Sequence, residues 1–268
     1  MKSKILFLGT GTSSGVPEIG CDCEVCTSRN PKNKRLRTSV YIEFTEGELK
    51  KYILIDTSPD FRYQALKYNI RWIDAILYTH SHYDHMGGFD EIRRFNILQK
   101  RAIPVYGTKS VIKNIKHNHK YVFKPIQIGG GVPQIKLNKI IPYKEFNIGF
   151  VKIIPLLVYH GKLKIVGYRF KDFAYITDAS FLPARTMEYL KNLKLLILNA
   201  LRYREHETHF NLEQALRITE KINPEKALYV HMTHDLEHER VNKKELPAEY
   251  QLAFDGQIVV IGDGAQLY

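Results

Sequence analysis

The densest run of reactive side chains is Tyr78-Thr79-His80-Ser81-His82-Tyr83-Asp84-His85-Met86-Gly87-Gly88, with three imidazoles and one carboxylate between positions 80 and 85. It follows the apolar run Ala75–Tyr78, which reads as a buried strand. Residues two apart on an extended chain share a face, so His80 and His82 reach one point. A turn permitted by Gly87-Gly88 then presents Asp84 and His85 toward a second point. Imidazole nitrogen and carboxylate oxygen together suit zinc, and also manganese or iron. The bland alternative is a polar loop rich in histidine. Its place directly after a strand favours metal ligation.

A second cluster lies upstream. Gly9-Thr10-Gly11-Thr12-Ser13-Ser14-Gly15-Val16-Pro17 runs into Gly20-Cys21-Asp22-Cys23-Glu24-Val25-Cys26, which holds all 3 cysteines of the chain. An odd, crowded set is a poor disulfide framework and a better thiolate metal site, in keeping with a reducing, cytoplasmic setting. A closed structural zinc site wants four ligands, and this segment supplies three. Unligated thiols are the other reading. Glycines 9–15 lack the Lys-Ser/Thr and following helix of a phosphate-binding P-loop and read as backbone pressed against a site.

The elements that must position these groups are short. Strands are expected at Ile5–Leu8, Val40–Phe44, Tyr52–Ile55, Ala75–Tyr78, Val105–Tyr106 and Val151–Leu157. Others follow at Ile165–Phe170, Ala174–Ile176, Leu195–Leu198, Ala227–Val230 and Ile258–Ile261. Helices are expected at Asp60–Tyr68, Asp90–Leu98, Lys109–Lys116, Pro183–Lys191 and Leu212–Ile222, the last capped by Asn211 with Gln214. Strand pairs early, then strands mixed with helices, predict an α/β protein with two sheets flanked by helices. Gly129-Gly130-Gly131 reads as a loop, and residues 1–268 as a single domain.

Composition sets the outer limits. Hydrophobic residues at 44% and charged residues at 25% are ordinary for a soluble globular chain. No apolar run reaches the length of a membrane span, and Ile5-Leu6-Phe7-Leu8 is too short for a signal peptide, so no membrane partner is expected. The formal charge of +12 favours anionic partners: phosphorylated metabolites, nucleotides or nucleic acid. Self-association as a homodimer stays open. Arg35 and Arg37, downstream of the cysteines, read as solvated basic residues able to contact an anion. His117, His119 and His238 read as surface histidines.

The His-x-His-x-Asp-His pattern at 80–85 resembles that of the metallo-β-lactamase-fold superfamily, and the likeness extends along nearly the whole chain. It implies an αββα sandwich of two mixed sheets. Asp56, in Leu54-Ile55-Asp56-Thr57, is similar to the family's residue that orients a ligand imidazole. His160, Asp178 and His231 match further ligands at strand ends. The resemblance thus implies one ion on His80, His82 and His160, and another on Asp84, His85 and His231, with Asp178 between them. Such a pair shares a hydroxide that serves as nucleophile, so no serine or cysteine nucleophile is needed.

The glycine-rich opening with Cys-x-Cys-x-x-Cys narrows the likeness to the phosphoribosyl cyclic phosphodiesterases. That resemblance implies a structural zinc on Cys21, Cys23, Cys26 and His234. It also implies a histidine that protonates the leaving oxygen: His209 first, with His206 second and otherwise a solvated loop residue. The expected activity is therefore dinuclear hydrolysis, by zinc or manganese, of a small cyclic phosphodiester. Competing readings are a transfer-RNA 3′-processing nuclease, a thiolester or lactam hydrolase, and a non-catalytic, zinc-containing nucleic-acid-binding protein.

Overall fold

The computed structural model describes residues 1–124, 131–262 and the backbone of 265–267. Gly129 and Gly130 of the expected glycine loop lie outside them. The strands are β1 (Lys2–Gly9), β2 (Ser39–Glu46), β3 (Leu49–Ile55), β4 (Ala75–Leu77), β5 (Ile103–Gly107) and β6 (Ile135–Lys139). Next come β7 (Phe146–Ile148), β8 (Val151–His160), β9 (Leu163–Arg169), β10 (Phe173–Ile176) and β11 (Leu195–Asn199). The last are β12 (Ala227–Val230), β13 (Tyr250–Leu252), β14 (Ile258–Ile261) and β15 (Ala265–Leu267). They form two mixed sheets, ordered β15-β14-β1-β2-β3-β4-β5-β6 and β13-β12-β11-β10-β9-β8-β7.

Helices are α1 (Glu24–Thr27), α2 (Phe61–Lys67), α3 (Tyr83–Met86), α4 (Ile92–Gln99) and α5 (Lys109–Asn118). Then come α6 (Lys120–Phe123), α7 (Ala184–Glu188), α8 (Leu212–Ile222) and α9 (His238–Lys244). None is long and apolar enough to cross a membrane.

The layering follows from period-two burial. Ile53 and Ile55 of β3 join Phe7, Val40, Tyr175 and Ile197 in the core between the sheets. Leu54, between them, faces the other way and packs with Phe61, Phe95 and Val111 under α2, α4 and α5. On the far sheet Leu196 and Leu198 turn outward to meet Leu212 and Ala215 of α8. Both faces of each sheet are therefore covered, which gives the αββα sandwich expected from the sequence.

Each expected strand and helix forms in substance, with ends moved by a few residues. Four strands were not expected. β6, Ile-Lys-Leu-Asn-Lys, has lysine or asparagine at three of its five positions and forms one edge of its sheet, while β7, β13 and β15 span three residues each.

Two local expectations need correction. Gly87 and Gly88 adopt ordinary right-handed angles (φ −59° and −91°), so no turn demands glycine there. What demands it at 88 is crowding, because a Cβ would collide with the Ser58 carbonyl oxygen. His238 is not at the surface: it is buried, with Nε2 donating to the Leu252 carbonyl at 3.1 Å. His119 is half-buried on the Phe89 ring, 4.2 Å between centroids, and His117 is exposed as expected.

Burial, with Lys32 and Arg35 nearby, pushes the His238 imidazole down to about 4. The unfolded chain then takes up a proton near pH 6.5 that the folded chain refuses until near pH 4, so stability is lost as pH falls through that window. The contribution is of order 3 kcal/mol at neutral pH. His238→Asn should therefore flatten the fall of unfolding free energy between pH 6.5 and 4, read by urea titrations. An unchanged slope would contradict the buried neutral assignment.

Candidate metal centre and active site

The reactive groups gather where strands of both sheets end. Asp56 follows β3, the run from His80 follows β4, His160 closes β8, Asp178 lies just past β10 and His231 follows β12. The carboxyl ends of parallel strands leave such a crevice in open sheets. Asp56, Asp178 and His231 take left-handed angles (φ 61°, 57° and 59°). Each costs of order 1 kcal/mol for a non-glycine residue, and such cost concentrates at working sites.

Two groups of ligand-type atoms result. His80, His82, His160 and Asp178 form one; Asp84, His85, Asp178 and His231 form the other, with the atoms of each within 4.8 Å of one another. Asp178 belongs to both. Its Oδ2 lies 3.4 Å from His80 Nε2 and 3.2 Å from His85 Nε2, and its Oδ1 lies 3.1 Å from His231 Nδ1. Asp84 Oδ2 is 3.3 Å from His85 Nε2. The buried Nε2 atoms of His80 and His85 have no hydrogen-bond partner among the described residues. Buried nitrogens left bare, amid carboxylates aimed at the same two points, are a donor set that fits divalent cations.

The reverse sides of the imidazoles are held. Asp56, fully buried, accepts from the Thr79 N–H (2.9 Å) and hydroxyl (2.8 Å) and lies 2.8 Å from His85 Nδ1. This bond leaves His85 Nε2 turned toward the crevice. His160 Nδ1 donates to the Thr208 carbonyl at 2.7 Å. Thr12 and Thr38 hydroxyls flank His231 at 3.2 and 3.3 Å. Asn199 holds both backbone groups of Ala179 and so fixes the turn bearing Asp178. None of these hydroxyl and amide partners was evident from the sequence, because their targets lie 20 to over 200 positions away.

Charge in the crevice is finely opposed. Burial resists charging of His85, yet Asp178, Asp84 and Asp56 outweigh it and hold that imidazole well above its usual range. Burial and the neighbouring His85 hold His80 well below it, and burial with His209 pushes His231 down to about 4. Burial also raises Asp56, whereas His231 and His85 overcome burial at Asp178 and hold its carboxyl down.

His209 closes the crevice from the α8 side. Its ring stacks on His231 (centroids 5.1 Å apart, planes at 11°), and its Nε2, without a hydrogen-bond partner, is 3.7 Å from Asp178 Oδ2. His206 is no solvated loop residue. It is half-buried, with Nδ1 3.2 Å from His209 Nδ1 and accepting the Thr208 N–H at 3.3 Å. Both border a cleft of about 690 Å³ with Lys162, Ser180 and Gln214.

The cysteine loop sits beside this crevice. The Sγ atoms of Cys21, Cys23 and Cys26 lie 3.3, 3.7 and 3.3 Å from His234 Nδ1. Zinc at about 2.3 Å from sulfur and 2.0–2.1 Å from nitrogen spans such separations tetrahedrally. Burial pushes the Cys26 thiol up to about 11, while the Cys26 N–H lowers Cys23. Gly11 fits between strands as expected for backbone pressed on the site: a Cβ would lie 2.8 Å from the Arg35 carbonyl. Arg35 overturns the expectation of a solvated anion contact. It is 1% exposed, and its guanidinium donates to the Thr233 and Leu236 carbonyls at 2.6 and 2.5 Å. It thus braces the loop that carries His231 and His234. Arg37 pairs with Asp60 at 3.0 Å.

Residues 51–232 match the model of the β-lactamase superfamily domain. The chain belongs to that superfamily and has the metallo-β-lactamase fold. Within it the chain is PhnP-like. It is 39% identical to a diphosphatase of the PhnP family over 100% of this chain and 99% of that one, with a TM-score of 0.89. A relative in Porphyromonas gingivalis called octanoyltransferase is 38% identical over 97% of this chain and 52% of its own. The chain thus spans about half the length of that relative. The short form of human tRNase Z shares the fold at 16% identity, covering 97% and 98% of the two chains with a TM-score of 0.68.

Arg35→Ala should cost roughly 2–4 kcal/mol, since two buried carbonyls lose charged donors. Urea unfolding measures this, and a loss below about 0.5 kcal/mol would remove Arg35 from the bracing role. Cys23→Ala should lower melting temperature and zinc content more than turnover by the folded fraction. Lost turnover at unchanged zinc and stability would instead place that thiolate in the chemistry.

Proposed function

We propose that the protein hydrolyses a small phosphodiester, a ribose-type cyclic phosphate being the leading candidate, with two divalent cations, zinc or manganese. The observation that supports this most is the pair of ligand groups sharing Asp178. His80, His82 and His160 hold one cation and Asp84, His85 and His231 the other, with Asp178 between them and Asp56 orienting His85. Cys21, Cys23, Cys26 and His234 hold a structural zinc. When bound, the cation pair supplies a nucleophile from water near neutral pH and offsets charge on the phosphoryl oxygens.

The chain's own residues do the rest. His209, with Nε2 free and turned toward Asp178, holds the proton for the departing oxygen. His206 and the Thr208 hydroxyl, 3.2 and 3.0 Å from His209 Nδ1, fix its ring. Asp84 and Asp178, kept ionised by the surrounding imidazoles, orient the reacting centre. A diester keeps one negative charge and meets this set without the repulsion between carboxylates and a dianion.

A second reading, cleavage of an organic diphosphate, is favoured by the 39% identity to the diphosphatase. Each phosphorus of a disubstituted diphosphate carries one ester and one anhydride bond, and hydrolysis of the anhydride releases a phosphate monoester that departs without needing a proton. The transfer-RNA reading rests on the +12 charge and a likeness that carries the fold alone. Acyl transfer is not carried over from a protein about twice as long.

Metal-reconstituted protein should be assayed with ribose 1,2-cyclic phosphate, 2′,3′-cyclic nucleotides, bis-p-nitrophenyl phosphate, a disubstituted diphosphate and a structured transfer-RNA precursor. We expect turnover of the small diesters. Efficient cutting of the RNA at one site, with every small diester intact, would overturn the proposal. His209→Ala should keep its metals yet lose roughly 10²–10⁴-fold in rate on the cyclic esters. The deficit should shrink for p-nitrophenolate; an equal deficit for good and poor leaving groups would remove His209 as the acid.

A further inference from the structure

Between the start of α5, the segment after β6 and the start of β9 lies a cleft of about 520 Å³ that the chemistry above leaves unused. It adjoins the site: the Val166 N–H donates to the Thr79 carbonyl at 3.1 Å, one residue before His80. Its floor is aliphatic, with Ile140, Ile165 and Val166 buried and Leu157 half-buried. Among the described residues no aromatic ring lines it, so they offer a planar base nothing to stack on.

The rim carries Lys109, Lys113, Lys139 and Lys164, and among the described residues no carboxylate lines the cleft. Among the described residues, the lysines that form ion pairs are others, such as Lys50, Lys51 and Lys152. Lys109 opens α5, whose first turn holds no acidic residue to offset it. A cation at the positive end of a helix is unfavourable, and three like charges around one cleft add to that. The free protein therefore carries an uncompensated positive rim over an apolar floor. A cavity of this size takes a drug-sized ligand, apolar in the main with a few polar anchors.

We propose that this cleft binds an aliphatic segment bearing an anionic group, and that it holds the part of the substrate remote from the scissile phosphorus. The second half of that statement rests on the phosphodiester reading; the first does not. The cleft thereby selects among phosphodiesters for one whose far end is a saturated chain with a second anion.

Calorimetry with hexyl phosphate, inorganic phosphate and hexanol tests the binding on the metal-loaded full chain and on His82→Ala, which separates it from capture by the metals. Hexyl phosphate should bind both proteins at least about tenfold more tightly than phosphate or hexanol. Lys113→Glu with Lys139→Glu should weaken it at least about tenfold, and Lys113→Gln with Lys139→Gln by less, at unchanged far-ultraviolet circular dichroism. Equal affinity for phosphate and hexyl phosphate, or hexyl phosphate affinity untouched by both lysine pairs, would overturn the proposal. Binding of the expected kind with no turnover of any diester would leave this cleft assigned and defeat the phosphodiester reading.

Discussion

Five imidazoles and a second carboxylate share the Asp178 carboxylate in two ligand-type groups, and the rest of the molecule is arranged to keep them there. Bare imidazole nitrogens and ionised carboxylates at these separations are costly in a dry crevice. Divalent cations at these two points would turn that cost into binding. The left-handed angles at Asp56, Asp178 and His231, and the Asp56–His85 bond, are strain and pre-organisation that packing on both faces of both sheets sustains.

That constraint explains the architecture. His160, Asp178 and His231 sit at or just past strand ends and the run 80–85 follows β4, so the pair of sheets brings residues as distant as His80 and His231 together without long flexible loops. The last ligand turn is shared with the cysteine site, since His231 and His234 lie on one loop that Arg35 ties down through Thr233 and Leu236. Losing the thiolate site should therefore loosen the second ligand group indirectly, through backbone position.

Much of this was legible in the sequence because it is local. Short apolar runs marked β1 through β5, β8 through β12 and β14, and the spacing from His80 to His85 exposed the turn rich in ligand-type side chains. What escaped was set by distance along the chain. The edge strand β6 carries lysines where a buried strand would carry valines. Arg35 reads as a surface cation until its guanidinium is seen enclosed by a loop some 200 positions away. His238 reads as a surface imidazole for the same reason, its backbone N–H being held by Asn33; His206 is the exception, for its partners His209 and Thr208 are three and two positions away and only the fold of the loop brings their side chains together. The hydroxyls of Thr12, Thr38 and Thr79 have no pattern of their own; each matters only through the imidazole or carboxylate it touches.

That two cations share Asp178 can be tested by anomalous diffraction at the zinc and manganese edges from crystals grown with metal in excess. Two peaks are expected about 3.5–4 Å apart on either side of the Asp178 carboxylate, and a third among Cys21, Cys23, Cys26 and His234. A single peak, or none, at Asp178 under those conditions would contradict it.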